Sequence, residues 1–291
     1  MDGGRAIGAF AGMIVRKAGM KILGSPFPGW TTPYMGLSLA PGASRRQAVE
    51  ALVAFAFGEL GCVHLELMDR HLELTDVAGI GASHRMFNTS EVDLASDAET
   101  LIRSFSATCR RYIHKAARDG LVVEEARDDA FVDEYHDQLV DVFARQRLVP
   151  TYGRSRVRLL IKHVPARQLL LLRVRTPDGH SAATGIFHAL DRQRVYFWGI
   201  ASRQHLVHLH PNELLLNHAM NAWRERGFSI MDLGGGGAYK QKYHPRPTPV
   251  PWIRISKFPF IPPLREAARL SIVTRQRLLG RLARRPVPAP R

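Results

Sequence analysis

Two lysines one residue apart, Lys240 and Lys242, are flanked by Tyr239 and Tyr243 and follow four consecutive glycines at 234–237. Glycines let the backbone approach a ligand closely, and an ammonium set beside such a break can bind a diphosphate or stabilise an oxyanion. In an extended segment the two lysines point to the same side. Two carboxylates are expected nearest the presumed centre, Glu213 and Asp232, and either can take the proton from an attacking amine. Plainer roles compete. Glu213 suits the first turn of a helix, where a carboxylate complements the dipole, Asp232 suits a pairing with an arginine, and the lysine–tyrosine cluster also reads as a basic surface hairpin.

Arg110, Arg111, Lys115 and Arg118 fall on neighbouring faces of one helical pattern and form a candidate phosphate grip, with a solvated helix face as the alternative. Tyr152 and Trp198 are candidate walls of an acceptor cleft; aromatics at strand spacing serve as well in a core. Asn212 is placed to cap a helix and belongs with the candidate substrate-binding residues. His205, His208 and His210, with His218 further on, raise a rival chemistry, a metal-dependent hydrolase with an open zinc position. No helical His-Glu-x-x-His accompanies them, and no metal is assigned.

The elements that must position these groups follow from periodicity. Leu215, Ala219 and Ala222, beside Leu216, Met220 and Trp223, form a helical stripe ended by Gly227, and a short strand follows around 228–233. Upstream, residues 5–40 read as strands and loops, 44–60 as a helix capped by Ser44, and 63–68 and 85–94 as strands. One helix is expected from 97 to 118, a strand at 121–126, a helix through Phe131, Tyr135, Leu139 and Phe143, and another at 153–163. Three strands near 169–175, 182–190 and 194–200, joined by turns at Pro177-Asp178-Gly179 and Asp191-Arg192-Gln193, make an antiparallel meander. A last strand is expected at 250–256.

The chain has 291 residues and a formal charge of +15, with only seven lysines among its 41 cations. Residues 264–291 hold eight arginines against one glutamate, so much of the excess sits in a tail. Such charge favours polyanionic partners such as tRNA, nucleotide-sugars or an anionic membrane face. Two cysteines, Cys62 and Cys109, allow no disulfide framework or metal finger. The apolar run at 6–15 is too short to span a bilayer and lacks a cleavage site; the expected location is the cytoplasm, at the inner membrane face if the tail lies on lipid.

Three segments carry a family resemblance: FSATCRRYIHKAARDGLVVEEA at 105–126, VFARQRLVPTYGRSRVRLL at 142–160, and 211–243 with its YKQKY. In this order they resemble the GNAT superfamily, in its Fem-like and cellulose-biosynthesis branch. The resemblance implies an α/β fold of two GNAT-like (acyl-CoA N-acyltransferase) lobes with mixed, largely antiparallel sheets, the first lobe incomplete. The expected domains are a partial lobe at 1–95, the acyltransferase lobe at 96–260 and a basic, proline-ending tail at 261–291. It further implies acyl transfer from acyl-CoA or aminoacyl-tRNA to an amine or hydroxyl of a cell-envelope or sugar-linked precursor, with Lys240 and Lys242 at the centre. The position after the fourth strand, ASRQHLVHLHPNELL, contains no glycine, which argues against acetyl-CoA held in the usual way. The reading from another class is a non-catalytic basic module for RNA or anionic membrane.

Overall fold

The computed structural model describes residues 6–17, 19–27, 34–94, 97–146 and 148–267, together with 270, 271 and 274. Most of the basic tail at 261–291, and with it the expected membrane role, therefore lies outside the described residues. In chain order the elements are β1 (Gly8–Phe10), β2 (Met13–Lys17), β3 (Met20–Ser25), β4 (Leu37–Leu39), α1 (Arg45–Gly58), β5 (His64–Met68) and β6 (Ser83–Asp93). There follow α2 (Ala98–Ser104), α3 (Ala107–Arg118), β7 (Val122–Glu125), α4 (Ala130–Arg145), α5 (Arg154–His163), β8 (Leu169–Arg175), β9 (Ser181–Ala189), β10 (Arg194–Ser202), α6 (Pro211–Glu225), β11 (Ile230–Asp232) and β12 (Arg246–Ser256). Contacts divide the chain into two compact units, Met1–Thr89 with Pro247–Leu270, and Ser90–Arg246 with Ser271–Arg291.

In the first unit β2, β3, β5 and β12 lie side by side, with β3 parallel to β5 and the pairs β2–β3 and β5–β12 antiparallel. A parallel pair needs a crossover, which α1 supplies. Ser44 caps α1 by accepting the Gln47 N–H at 3.3 Å, and Val49, Leu52 and Ala56 pack on Leu65 and Leu67 of β5. The family resemblance puts the strand at 250–256 in the second lobe. It pairs instead with β5, from Trp252 opposite Met68 to Ser256 opposite His64, because Ile253 and Ile255 complete the apolar face under α1.

Asp69 ties the first unit's loops together. Its carboxylate accepts the Leu37 N–H at 3.0 Å and the His71 N–H at 2.8 Å, and pairs with the Arg45 guanidinium while only 2% exposed. Asp69→Ala leaves those donors without their acceptor and should cost about 3 kcal/mol. The check is a urea titration, in which the first unit's midpoint should fall with its slope unchanged; an unmoved midpoint would mean that water replaces the carboxylate at no cost.

The second unit orders its strands β6-β11-β10-β9-β8-β7. Both faces are covered. Leu170, Leu172 and Val174 of β8 pack with residues of α3 and α6 such as Cys109, Leu215 and Trp223, while Leu169 and Leu171 face Phe131, Tyr135 and Val157 of α4 and α5. This explains the unbroken apolar run at 169–172.

The single helix expected over 97–118 is two. Asp97 caps α2, accepting the Glu99 and Thr100 N–H groups at 2.9 Å each, and Ser106 caps α3 through the Cys109 N–H at 3.2 Å. Between them Phe105 turns inward, 1% exposed, and meets Tyr243 edge-on at 5.2 Å. The Ser106 N–H reaches the Lys242 carbonyl at 2.8 Å. Burying one aromatic and capping a new helix start outweigh the unbroken hydrogen-bond ladder.

Candidate active site

β10 and β11 run in parallel only from Arg194 opposite Ile230 to Tyr196 opposite Asp232. Beyond that point β10 continues to Ser202 paired with β9, with a register shift between Phe197 and Gly199. The strand therefore offers a free edge after Tyr196. Gly199 is required at this bend, since a Cβ there would lie 2.6 Å from the Tyr135 hydroxyl. Past the free edge lies a cavity of about 420 Å³, whose lining includes Arg145, Gln146, Ser202, Asn212, Tyr239, Lys242 and Tyr243.

The lysine segment is a 3₁₀ turn, Ala238–Tyr243, and not an extended strand. Gly237, at φ 81°, leads into it, where an L side chain would be strained. Residues two apart on a 3₁₀ turn face different ways, so the two lysines part. Lys240 turns inward, 6% exposed, donates to the Gly235 carbonyl at 3.0 Å, and lies 5.8 Å from the Phe197 and Tyr239 ring centres. Burial pulls its ammonium below the usual lysine range, against the pull of Asp232. Lys242 lines the cavity and pairs with Glu213. Glu213 is 8% exposed and Asp232 fully buried, with Asp232 accepting the Gly234 N–H at 2.7 Å. The structure thus brings Lys242, Glu213, Asn212 and Tyr239 together and sets Lys240 and Asp232 behind the glycine turn.

The cationic grip does not assemble as expected. Arg110 donates to the carbonyls of Arg103 at 2.9 Å and Phe105 at 2.5 Å, satisfying the end of α2. Lys115 pairs with Asp119 at 2.5 Å. Arg111 lies over Tyr112, 5.5 Å from its ring centre, on the exposed side of α3. Tyr152 and Trp198 are core partners with ring centres 4.9 Å apart, and the Tyr152 hydroxyl bonds that of Tyr135 at 3.0 Å. Burial pushes both phenols up.

Asn212 does not cap α6. Pro211 occupies the first helical position, which its fixed φ favours, and the cap falls to His210 in a left-handed conformation at φ 59°. The Asn212 amide donates to the Ser202 hydroxyl at 3.3 Å, while its carbonyl oxygen is buried without a partner. The glycine-free stretch folds as a 3₁₀ turn, Gln204–Leu209, whose N–H groups of Leu206 and His210 bond internally to the carbonyls of Arg203 and Val207, each at 3.1 Å. The His210 ring stacks on Tyr112 at 3.7 Å, and burial holds its imidazole below the usual range. His205, His208 and His218 are exposed, and among the described residues no three metal-ligating side chains gather. Cys109 is packing; burial lifts its thiol to about 11.

Arg145 and Ser202 were not legible as site residues. Arg145 ends the apolar stripe of α4, and only the fold brings its guanidinium to the Ser202 carbonyl at 3.1 Å. Tyr243, read as half of a flanking pair, is 2% exposed and fills the cavity floor; the aromatic spacing was the signal for it.

Residues 103–243 match the family model of the acetyltransferase (GNAT) domain, a span that reaches from α2 to the last cavity residue. No curated protein matches the chain. Among solved structures, FemX is similar at a TM-score of 0.69 with 12% identity, covering 87% of this chain and 86% of its own. L-PGS from Bacillus licheniformis follows at 0.58 and 10%, covering 93% and 86%. A tandem GNAT protein from the clavulanic acid biosynthesis pathway gives 0.54 and 15%, covering 89% and 82%. No described helix is long and apolar enough to cross a membrane. By their family match residues 103–243 form an acetyltransferase (GNAT) domain, set in a mixed α/β fold similar to that of FemX.

Proposed function

We propose that the second unit transfers an acyl group from an activated ester to an amine or hydroxyl of a cell-envelope or polysaccharide precursor, in the cavity beyond the free edge of β10. GNAT domains in general take acyl-CoA. The observation that carries the reading is the pairing of Lys242 with a nearly buried Glu213 at the cavity wall, beside the unpartnered Asn212 carbonyl. An amine attacking the acyl carbonyl puts negative charge on its oxygen, and an ammonium fixed in place stabilises that charge without reorganising. Glu213 fixes the ammonium, and the Asn212 carbonyl accepts an N–H of the incoming amine; as the acyl C–S or C–O bond breaks, the leaving thiolate or ribose oxygen takes up the proton that the amine gives up.

The donor divides into two classes, a CoA thioester and an aminoacyl ester of tRNA. The closed 3₁₀ turn ahead of α6 and Pro211, which has no N–H, weaken the phosphate cradle on which a CoA pyrophosphate depends, and so favour the ester of tRNA. A peripheral membrane role for the basic tail and a cytoplasmic site of action fit a lipid-linked acceptor. The test is to incubate the full chain with labelled acetyl-CoA or labelled aminoacyl-tRNA and an amine-bearing envelope precursor, and to follow label into the acceptor by mass spectrometry. Transfer from aminoacyl-tRNA alone supports the reading in full; transfer from acetyl-CoA keeps the reaction and reverses the donor. If neither donor binds nor reacts, the domain is a non-catalytic basic module.

A further inference from the structure

The second unit holds another cavity, remote from the first. β8 and β10 are both antiparallel to β9, so the start of β8 lies at the end of the sheet opposite the end of β10. There a groove of about 770 Å³ opens between the C-terminal part of α5, the start of β8 and the turn after α6. Its floor is apolar and buried, with Ala126 at 3% exposure and Leu169 and Leu171 at 7% each. Ile161, Val164 and Phe228 form its walls.

The rim carries Arg127, Arg167 and Arg226 against one acid, Glu125. Glu125 lies 3.3 Å from Arg226 and 3.5 Å from Arg127, so one carboxylate serves two guanidinium groups. Arg167 stands exposed on the 3₁₀ turn Ala166–Gln168 and makes no ion pair among the described residues. Greasy depth below a ring of excess positive charge is complementary to one kind of small molecule.

We propose that this groove binds a single-chain anionic amphiphile, with its hydrocarbon on Leu169, Leu171 and Phe228 and its head group held by Arg167 and Arg226. The volume lies in the range of ligand sites, about 300–1,000 Å³. Guanidinium forks suit a phosphate or carboxylate head. The floor is concave and recessed behind the arginines, which favours a monomeric chain over the surface of a bilayer. The site shares no residue with the cavity at the end of β10 and does not depend on the acyl-transfer reading.

The experiment is calorimetry of the full chain against dodecyl phosphate below its micellar concentration, with octyl phosphate, dodecanol, inorganic phosphate and phosphatidylglycerol vesicles alongside. Saturable 1:1 binding of dodecyl phosphate is expected, weakening roughly tenfold for each two methylenes removed, with dodecanol and inorganic phosphate at least tenfold weaker. Arg167→Glu should weaken binding tenfold or more. Ala166→Trp, which fills the mouth from an exposed position, should abolish it with an unchanged circular dichroism spectrum. No saturable binding, equal binding of dodecanol, many weak sites, undiminished binding in both variants, or binding to vesicles alone would each overturn the proposal.

Discussion

Lys242→Met is expected to lower the acyl-transfer turnover by roughly 10²–10³-fold, the usual cost of removing one donor to a developing oxyanion. It should also lower stability by about 2–4 kcal/mol. The two effects have different origins. The catalytic loss comes from the missing ammonium at the cavity wall. The stability loss comes from Glu213, whose side chain is 11% exposed and pairs with Lys242, and which is left without that partner in a poorly solvated place. Adding Glu213→Gln to Lys242→Met removes that stranded charge, so the double variant should regain most of the melting temperature and none of the turnover. Recovery of turnover in the double variant, or full turnover in the single one, would sink the assignment of Lys242. Lys240→Met is the contrast. Its ammonium bonds the Gly235 carbonyl behind the turn, so its removal should act through the shape of the glycine turn, raising KM along with the loss of stability.

Much of the second unit was legible because its periodicities are clean. The run at 169–172 reads as a buried strand, and the spacing of Leu215, Ala219 and Trp223 reads as the inner face of a helix; both are found where expected. What failed were places where two local rules compete. Residues 97–118 satisfy helix periodicity throughout, yet Phe105 gains more by turning into the core beside Tyr243, and Ser106 is available to cap a fresh start. Lys240 and Lys242 look alike in sequence, and only the 3₁₀ turn after the glycines separates a buttress from a cavity residue. Arg110 looked like a phosphate ligand because its charge is visible in sequence, whereas the two open carbonyls that it serves exist only once the helix breaks. A strand's partner is equally invisible to local pattern. Ile253 and Ile255 carry an ordinary alternation, and nothing in it says that β5 is the strand on which they close.

Arg173 is the clearest case of a residue that sequence pattern hides, and its expected effect is on folding. It follows four leucines on β8, and its side chain is 3% exposed. Its guanidinium forks onto Asp128 at 2.7 and 3.0 Å, reaches Glu124 at 3.0 Å and pairs with Glu134, joining β8 to β7, to the start of α4 and to α4 itself. Arg173→Met keeps the bulk and removes the charge, leaving three carboxylates clustered. Two of them are roughly half exposed and recover part of their hydration, so the cost should sit at about 2–4 kcal/mol, below that of a fully buried network. For a unit of this size that is a fall of roughly 5–12 °C in melting temperature. The pH dependence follows from Arg173 holding the Glu124 and Asp128 carboxyls below their usual range. Groups depressed in the folded state stabilise it fully above the ordinary carboxylate pKa of about 4 and cease to do so as pH falls through the folded value. The wild-type protein should therefore lose stability steeply below about pH 4, while Arg173→Met, which keeps only the Arg175 contacts to Glu124 and Glu134, loses less. The difference between the two should be largest near pH 7 and shrink towards pH 3. A difference constant across that range would mean that Arg173 contributes through its packing and not through its charge.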